Sequence, residues 1–319
     1  MIPKDYQWPD FSFKLASLAN KSNLPSTTES QISHIEDFFC QKFNAPLFLF
    51  PSARSAISAV FQFIHMSRQH IVYAPMWSSH CVWDVISRYA NPTCISSPHP
   101  DATLLVHKWG YEFITSCKDP SKVISDSVDS LFLSTKEILK GAKFEVISLP
   151  KTLGTFCGGI LICKDKNFPD FLRNLRSQAC ADTAREQEQR KLAELRHGKN
   201  SEVWHMLEYK NFLLTPICLE NISCNLKNYK LATDLITSRV DRLRKKLNMD
   251  YLPFSNSRLP CIILLCENKH KISNKEMFMR RQFNFSFQNE VEQFSEALLL
   301  PLHIGISDDA FEGFFRNIE

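Results

Sequence analysis

Glycine occurs only eight times in the 319 residues. None of these glycines falls in a GxGxxG or GxxxxGK[ST] pattern, so the glycine-rich cradles of dinucleotide and nucleoside-triphosphate folds are excluded. Cysteine is not scarce, at eleven, but no CxxC pair occurs and no histidine cluster stands at metal-ligand spacing. The cysteines therefore read as small buried apolar residues kept reduced, without disulfide or zinc framework. No stretch approaches the roughly 20 apolar residues of a membrane span. The start, MIPKDYQWPDFSF, lacks a basic segment, an apolar core and a small-residue cleavage site, which leads us to expect a cytoplasmic protein without a membrane role. A surplus of one charge sign is also missing: 38 Lys and Arg face 34 Asp and Glu, a net charge of +4. Neither a nucleic-acid footprint nor an acidic tail follows from that balance. Internal repeats and low-complexity segments are absent too.

What remains is a hydrophobic fraction of 44% over a length that exceeds one small core, which predicts a large domain and a lesser one. Short apolar runs recur through the first half: Leu47 to Phe50, Ile71 to Ala74, Thr103 to His107, Lys122 to Ser125, Phe144 to Ser148 and Gly159 to Cys163. Helical patterns separate several of them, as at Ser55 to Met66 and Cys81 to Tyr89. This alternation predicts a three-layer αβα domain with a mainly parallel sheet. The charged stretch from Phe168 to Leu195 reads as one long solvated helix, broken by HGKN at 197–200, and Asn221 to Leu247 as a second helix ending in basic residues. Beyond Pro253, strand-like runs at Cys261 to Cys266 and Arg281 to Phe287 and a closing helix from Asp308, capped by Ser307, indicate a smaller α+β domain. We expect the division at 1–220 and 221–319.

Ligands in an open parallel sheet gather at the carboxyl ends of the strands, so the residues just after each run carry the chemical interest. Ser52-Ala53-Arg54 enters a helix whose free N–H groups suit a phosphate, although serine is also an ordinary N-cap. Trp77 could lay an aromatic face on a planar ligand or could be a core tryptophan. Asp126 directly follows a run, where a carboxylate can meet a cationic ring nitrogen or cap a helix. Lys151 follows another run and precedes Gly158-Gly159, two of the few glycines, which implies a close backbone approach. A desolvated lysine near other positive charge loses its proton readily and condenses with an aldehyde, whereas a lysine of a surface loop does nothing of the kind.

Taken in order, these segments resemble the DegT/DnrJ/EryC1/StrS family of sugar aminotransferases, members of the aspartate-aminotransferase fold type I. Ser52-Ala53-Arg54-Ser55-Ala56-Ile57 is similar to the family's phosphate-cradling turn, and Val106-His107-Lys108-Trp109-Gly110 to its Val-His-x-x-Gly strand end. Ser125-Asp126-Ser127 resembles the step whose aspartate holds the pyridine nitrogen. Lys151 with Gly158-Gly159 has the spacing from Schiff-base lysine to Gly-Gly, and residues Leu300 to Asp309 resemble the closing Leu-Pro-x-His signature.

The resemblance implies a homodimer with pyridoxal 5'-phosphate on Lys151, Asp126 at the ring nitrogen, and Trp77 or a neighbour stacked on the ring. It also implies an amino donor, usually glutamate, and a keto-sugar acceptor, usually linked to a nucleotide, in cell-surface glycan or secondary-metabolite biosynthesis. Three departures accompany it. Asp129 stands where the family places Gln or His near the cofactor's phenolic oxygen, and a carboxylate there would repel a phenolate. Ser148 precedes the lysine by three residues rather than the family's five. The Asn-x-Arg segment that reaches a neighbour's phosphate has no clear counterpart, Lys210 and Asn211 being the nearest. The alternative these departures favour is a scaffold or regulatory protein of the same fold without transaminase activity.

Overall fold

A computed structural model describes residues 28–95, 99–110, 117, 119–132, 135–197, 210–247, 258–266, 271–284 and 294–319. Its centre is a seven-stranded sheet in the order β1-β8-β7-β5-β4-β2-β3. The strands are β1 Leu47–Phe50, β2 Ile71–Tyr73, β3 Asn91–Thr93, β4 Ala102–Val106, β5 Val123–Asp126, β7 Phe144–Ser148 and β8 Gly159–Cys163. Adjacent strands run parallel except where β8 meets β1 and β7. All residues of β4, β7 and β8 are buried, as continuous apolar strands covered on both faces must be. The expected αβα arrangement with a mainly parallel sheet is therefore what the chain adopts.

The covering helices include α1 Thr28–Phe43, α2 Ala53–Phe63 and α3 His80–Tyr89. Helix α1 has no counterpart in the sequence reading; it buries Ile35, Phe39 and Phe43, a stripe spaced at one helical turn. The single-turn α4 spans Leu149–Thr152. The charged stretch after Phe168 forms two helices, α5 Phe168–Ser177 and α6 Ala181–His197, rather than one. The next helical stretch divides as well, into α7 Pro216–Asn225 and α8 Asn228–Leu247. No described helix is long and apolar enough to cross a membrane. The described cysteines carry no disulfide, and no described cluster of side chains could hold a metal ion.

The later part of the chain forms a three-stranded antiparallel sheet, β10 Ile262–Cys266, β12 Phe294–Pro301 and β11 Met279–Asn284, with β12 in the middle. Residues 285–287 of the strand expected at Arg281 to Phe287 lie outside the described residues. Two short strands, β6 Ser130–Phe132 and β9 Arg258–Pro260, pair antiparallel and tie the two halves together. Helix α9, Asp308–Arg316, is capped by the Ser307 side chain, which accepts the Ala310 N–H as expected. Its Phe311 and Phe314 join a core that also holds Ile35, Phe39, Ile236, Val240 and Leu298. The segment before α9 is held from α8. Buried Arg239 donates from Nη1 to the carbonyls of Leu302 and His303, both at 3.1 Å. Its Nη2 donates to Ile306 O and Asp308 Oδ1, both at 2.8 Å. One guanidinium thus fixes the bend at the end of the Leu300 to Asp309 motif.

Candidate active site

The carboxyl ends of β1, β4, β5 and β7 lie along one edge of the sheet, and each adjoins a candidate site residue. Strand β7 ends at Ser148, whose backbone starts α4 and sets Lys151 one turn in. Thr152 Oγ1 bonds back to Ser148 O at 2.9 Å. The Lys151 ammonium donates to Asp129 Oδ1 at 2.5 Å, with the lysine side chain 27% exposed and the aspartate 3%. Oδ2 of Asp129 accepts the Trp109 N–H at 2.7 Å. Trp109 adopts a left-handed φ of 53° and Gly110 follows at 83°. A side chain on Gly110 would meet Pro260 Cα at 2.6 Å, so the turn after β4 rests directly on β9. The Trp109 ring packs against Ile262, Leu264, Ala297 and Leu299 of the second sheet.

Two lysines and two carboxylates share this corner. Burial, the largest single influence, disfavours the charge on Lys151, but the charge and hydrogen bond of Asp129, joined by Asp126, together hold the lysine above its ordinary value. Lys108, whose Nζ donates to Ser79 Oγ at 2.7 Å, goes the other way: burial lowers it, and the Lys151 charge adds to the effect against the pull of Asp129. Asp126, at the last position of β5 rather than after it, is 1% exposed. Burial, partly offset by Lys151 and reinforced by Asp129, pushes it up to about 6. Its hydrogen bond among the described residues is the Val128 N–H at 3.3 Å on Oδ1.

The turn at Ser52 approaches from β1. Ser52 caps α2 through a reciprocal pair with Ser55, each backbone N–H donating to the other's hydroxyl at 3.1 Å. A Cβ on Gly159 would sit 2.4 Å from the Ser52 carbonyl carbon and 2.5 Å from Ala53 N. Only glycine lets β8 run this close beneath the helix start, which is the close approach expected of Gly158-Gly159. Gly158 itself has φ of 110°, and its N–H donates to Pro51 O at 2.8 Å. Ala53, Arg54 and Trp77 are half-buried. Asn211 is turned inward, donating to Gln187 Oε1 at 2.6 Å, and Lys210 is exposed.

A profile of the family described as "Putative PLP-dependent aminotransferase" matches residues 35–319. The chain belongs to this PLP-dependent aminotransferase family. No curated protein matches the sequence. Among solved structures, the chain is similar to "Putative sugar aminotransferase Spr1654" of Streptococcus pneumoniae in its PMP form, at 14% identity and a TM-score of 0.64, covering 99% of this chain and 98% of that one. A DegT DnrJ EryC1 StrS aminotransferase of Brucella abortus gives 12% identity and a TM-score of 0.60 over 96% and 92%. PseC of Helicobacter pylori, an aminotransferase involved in pseudoaminic acid biosynthesis, gives 14% and 0.57 over 98% and 97%. These likenesses establish the shared fold.

The residues of this aminotransferase fit pyridoxal phosphate. A lysine stands at the sheet edge for the aldehyde, and a helix start with close backbone packing is available for the phosphate. Asp126 is a buried carboxylate with acceptor capacity to spare, whose charge is costly until a cation arrives.

Beneath these groups runs a network that the sequence reading did not assign. Ser125 Oγ donates to Glu145 Oε1 at 2.8 Å and so accepts from His107 Nε2, 3.0 Å away. Ser127 Oγ donates to the same carboxylate oxygen. The Leu139 N–H reaches Oε2 at 3.0 Å, and Arg258 Nη2 lies 3.5 Å from Oε1. Burial, then the Arg258 charge, holds His107 well below its usual range, so it stays neutral. Burial raises Glu145 against the pull of Arg258 and its three donors. One signal in the sequence pointed here: a glutamate in the middle of the apolar run Phe144 to Ser148 has to be paired.

Proposed function

We propose that this aminotransferase carries an amino group from glutamate to a keto sugar linked to a nucleotide, in the assembly of a cell-surface glycan or a secondary metabolite. The observation that carries the reading is the placement of Lys151 on a single helical turn at the sheet edge, ion-paired to Asp129 and within electrostatic reach of buried Asp126. In this reading Lys151 holds the cofactor's aldehyde carbon and Asp126 bonds the ring nitrogen. Ser52, Ala53, Arg54 and Ser148 would hold the phosphate, Asp129 would serve the phenolic oxygen, and Trp77 would stack on the ring. The bound cofactor supplies the electron sink that no side chain offers. With its amine free, Lys151 would be the base that takes the proton from the donor carbon. Asp126 keeps the ring nitrogen protonated by a charge-assisted bond.

A division near residue 220 is supported by the seven-stranded sheet lying wholly before it and the three-stranded sheet wholly after. We also infer a homodimer, because the fold type builds its site at a subunit boundary. The test uses the full chain with added pyridoxal phosphate. Borohydride should fix the cofactor on the Lys151 peptide, and glutamate should convert the bound chromophore and release 2-oxoglutarate. Turnover should require a nucleotide-linked keto sugar. Trapping on a peptide lacking Lys151 would overturn the site, and conversion by glutamate with no keto sugar accepted would overturn the substrate class.

A further inference from the structure

We propose that Asp129 is a counter-ion lock on Lys151, a positioning residue that holds the lysine as an unreactive ammonium until an aldehyde is seated. The idea rests on the reading of Lys151 as the cofactor-binding lysine, and it concerns a residue that stands where relatives in the resemblance carry a neutral side chain.

The geometry assigns both oxygens of Asp129. Oδ1 takes the ammonium at 2.5 Å, and Oδ2 takes the Trp109 N–H at 2.7 Å, in the turn that Gly110 seats on β9. The carboxylate is thus clamped to the backbone of one strand end and points its remaining charge at the lysine of another. Its own main chain is held too, since Asp129 O accepts the Cys261 N–H at 3.3 Å. Such a carboxylate cannot swing away, so the ion pair persists for as long as Lys151 is charged.

The other groups around Lys151 do not substitute for it. Asp126 from β5 also favours the charge but makes no hydrogen bond to the lysine. Lys108 after β4 is a like charge whose own proton is loosened by Lys151. Cys81 of α3 favours the charge less than either carboxylate does. Cys261, wholly buried, has its thiol pushed up to about 12 and carries no charge at working pH. Burial, which lowers the basicity of an amine, is already the largest single influence on Lys151, and without Asp129 its main remaining opponent is the charge of Asp126.

The consequence is chemical. An amine attacks a carbonyl only through its lone pair, so Lys151 must lose one proton before the C–N bond forms. The carbonyl oxygen then leaves as water with two of the three original ammonium hydrogens. The third stays on nitrogen, so a cation faces Asp129 before and after. The lock therefore acts on the approach and not on the end state: it suppresses reaction with stray electrophiles without opposing the finished linkage.

Competitive labelling with trace acetic anhydride tests this on the full chain, freed of bound aldehyde by hydroxylamine and dialysis. Lys151 acetylation is followed by peptide mass spectrometry from pH 6 to 11. In the native chain it should still be rising at pH 10, and titration below the ordinary lysine range of about 10.4 overturns the lock with no variant needed. In Asp129→Asn, whose amide oxygen can still accept the Trp109 N–H, the profile should move down by more than one unit. Labelling at pH 8 should then rise at least tenfold. Asp129→Glu should restore the native profile. An unchanged profile or a less reactive Lys151 in Asp129→Asn overturns the proposal.

Pyridoxal phosphate with borohydride, run in parallel, separates the two claims. A shifted acetylation profile with no cofactor trapped on Lys151 sustains the lock and sinks the aminotransferase site. Trapping on Lys151 with no shift does the reverse.

Discussion

Replacing Asp126 by Asn in the cofactor-free chain isolates the electrostatics of the site from its chemistry. Asp126 is 1% exposed and has the Val128 N–H at 3.3 Å on Oδ1. Burial first, then Asp129, raises it to about 6 against the pull of Lys151, whereas the unfolded chain ionises near 3.9. The gap of about two units corresponds to ~3 kcal/mol at 1.36 kcal/mol per unit. Its sign follows from which state holds the proton longer. As pH rises the unfolded carboxyl ionises first, so stability is full below about pH 4, declines through about pH 6, and above that carries the whole penalty. Asparagine has no charge to desolvate and keeps an acceptor for Val128.

Urea unfolding should therefore find Asp126→Asn more stable than the native chain by up to ~3 kcal/mol at pH 8, with the difference closing below pH 4. A difference independent of pH, or a less stable variant at pH 8, would refute the reasoning. With cofactor bound the same substitution should work the other way. On the proposed role of Asp126, stopped-flow decay of the donor complex should slow by orders of magnitude, because the ring nitrogen would lose the partner that stabilises the transition state.

Gly159→Ala drives a methyl group into the Ser52 and Ala53 backbone and should cost roughly 1–3 kcal/mol in urea unfolding. It should also weaken cofactor affinity measured by fluorescence titration, and an unchanged unfolding midpoint would contradict the close approach. Arg258→Met removes the cation beside buried Glu145 and should cost ~3–5 kcal/mol at pH 8. The loss should shrink as the pH falls, because burial raises Glu145 and eases its protonation. Arg239→Lys cannot span four acceptors. Hydrogen exchange should speed up at Ile306, whose N–H bonds His303 O, while the seven-stranded sheet keeps its protection.

The layered sheet was legible because its strands are buried on both faces, so Leu47 to Phe50, Phe144 to Ser148 and Gly159 to Cys163 read as unbroken apolar runs. Helix divisions were not. Leu226 and Lys227 are good helix formers, and the break there is flanked by Asn225 and Asn228, whose side chains bond to each other at 2.8 Å. Strands of three residues such as β6 and β9 leave no periodicity to find. Among the candidate site residues, Lys151 and Asp126 stand out in the sequence because they follow apolar runs. Asp129 was visible only as a departure, and its tie to Lys151 depends on the turn at Trp109, which sequence does not encode locally. The His107, Ser125, Glu145 and Arg258 network joins four separate strands or strand ends, so no window of the chain contains it.

The pairing of β6 with β9 has a consequence for how the protein is made. Ser130 is joined to Pro260, and Gly110 rests on the same proline. A growing chain can therefore complete all seven strands of the central sheet while the floor of the turn beside Asp129 is still being synthesised. Contacts so distant in sequence form late, because the intervening loop must be closed first. On the proposed reading of Lys151, it is the protection of that amine by Asp129, rather than its ability to take an aldehyde, that reports finished folding. A chain ended before residue 258 would lack the strand on which the Asp129 clamp is seated.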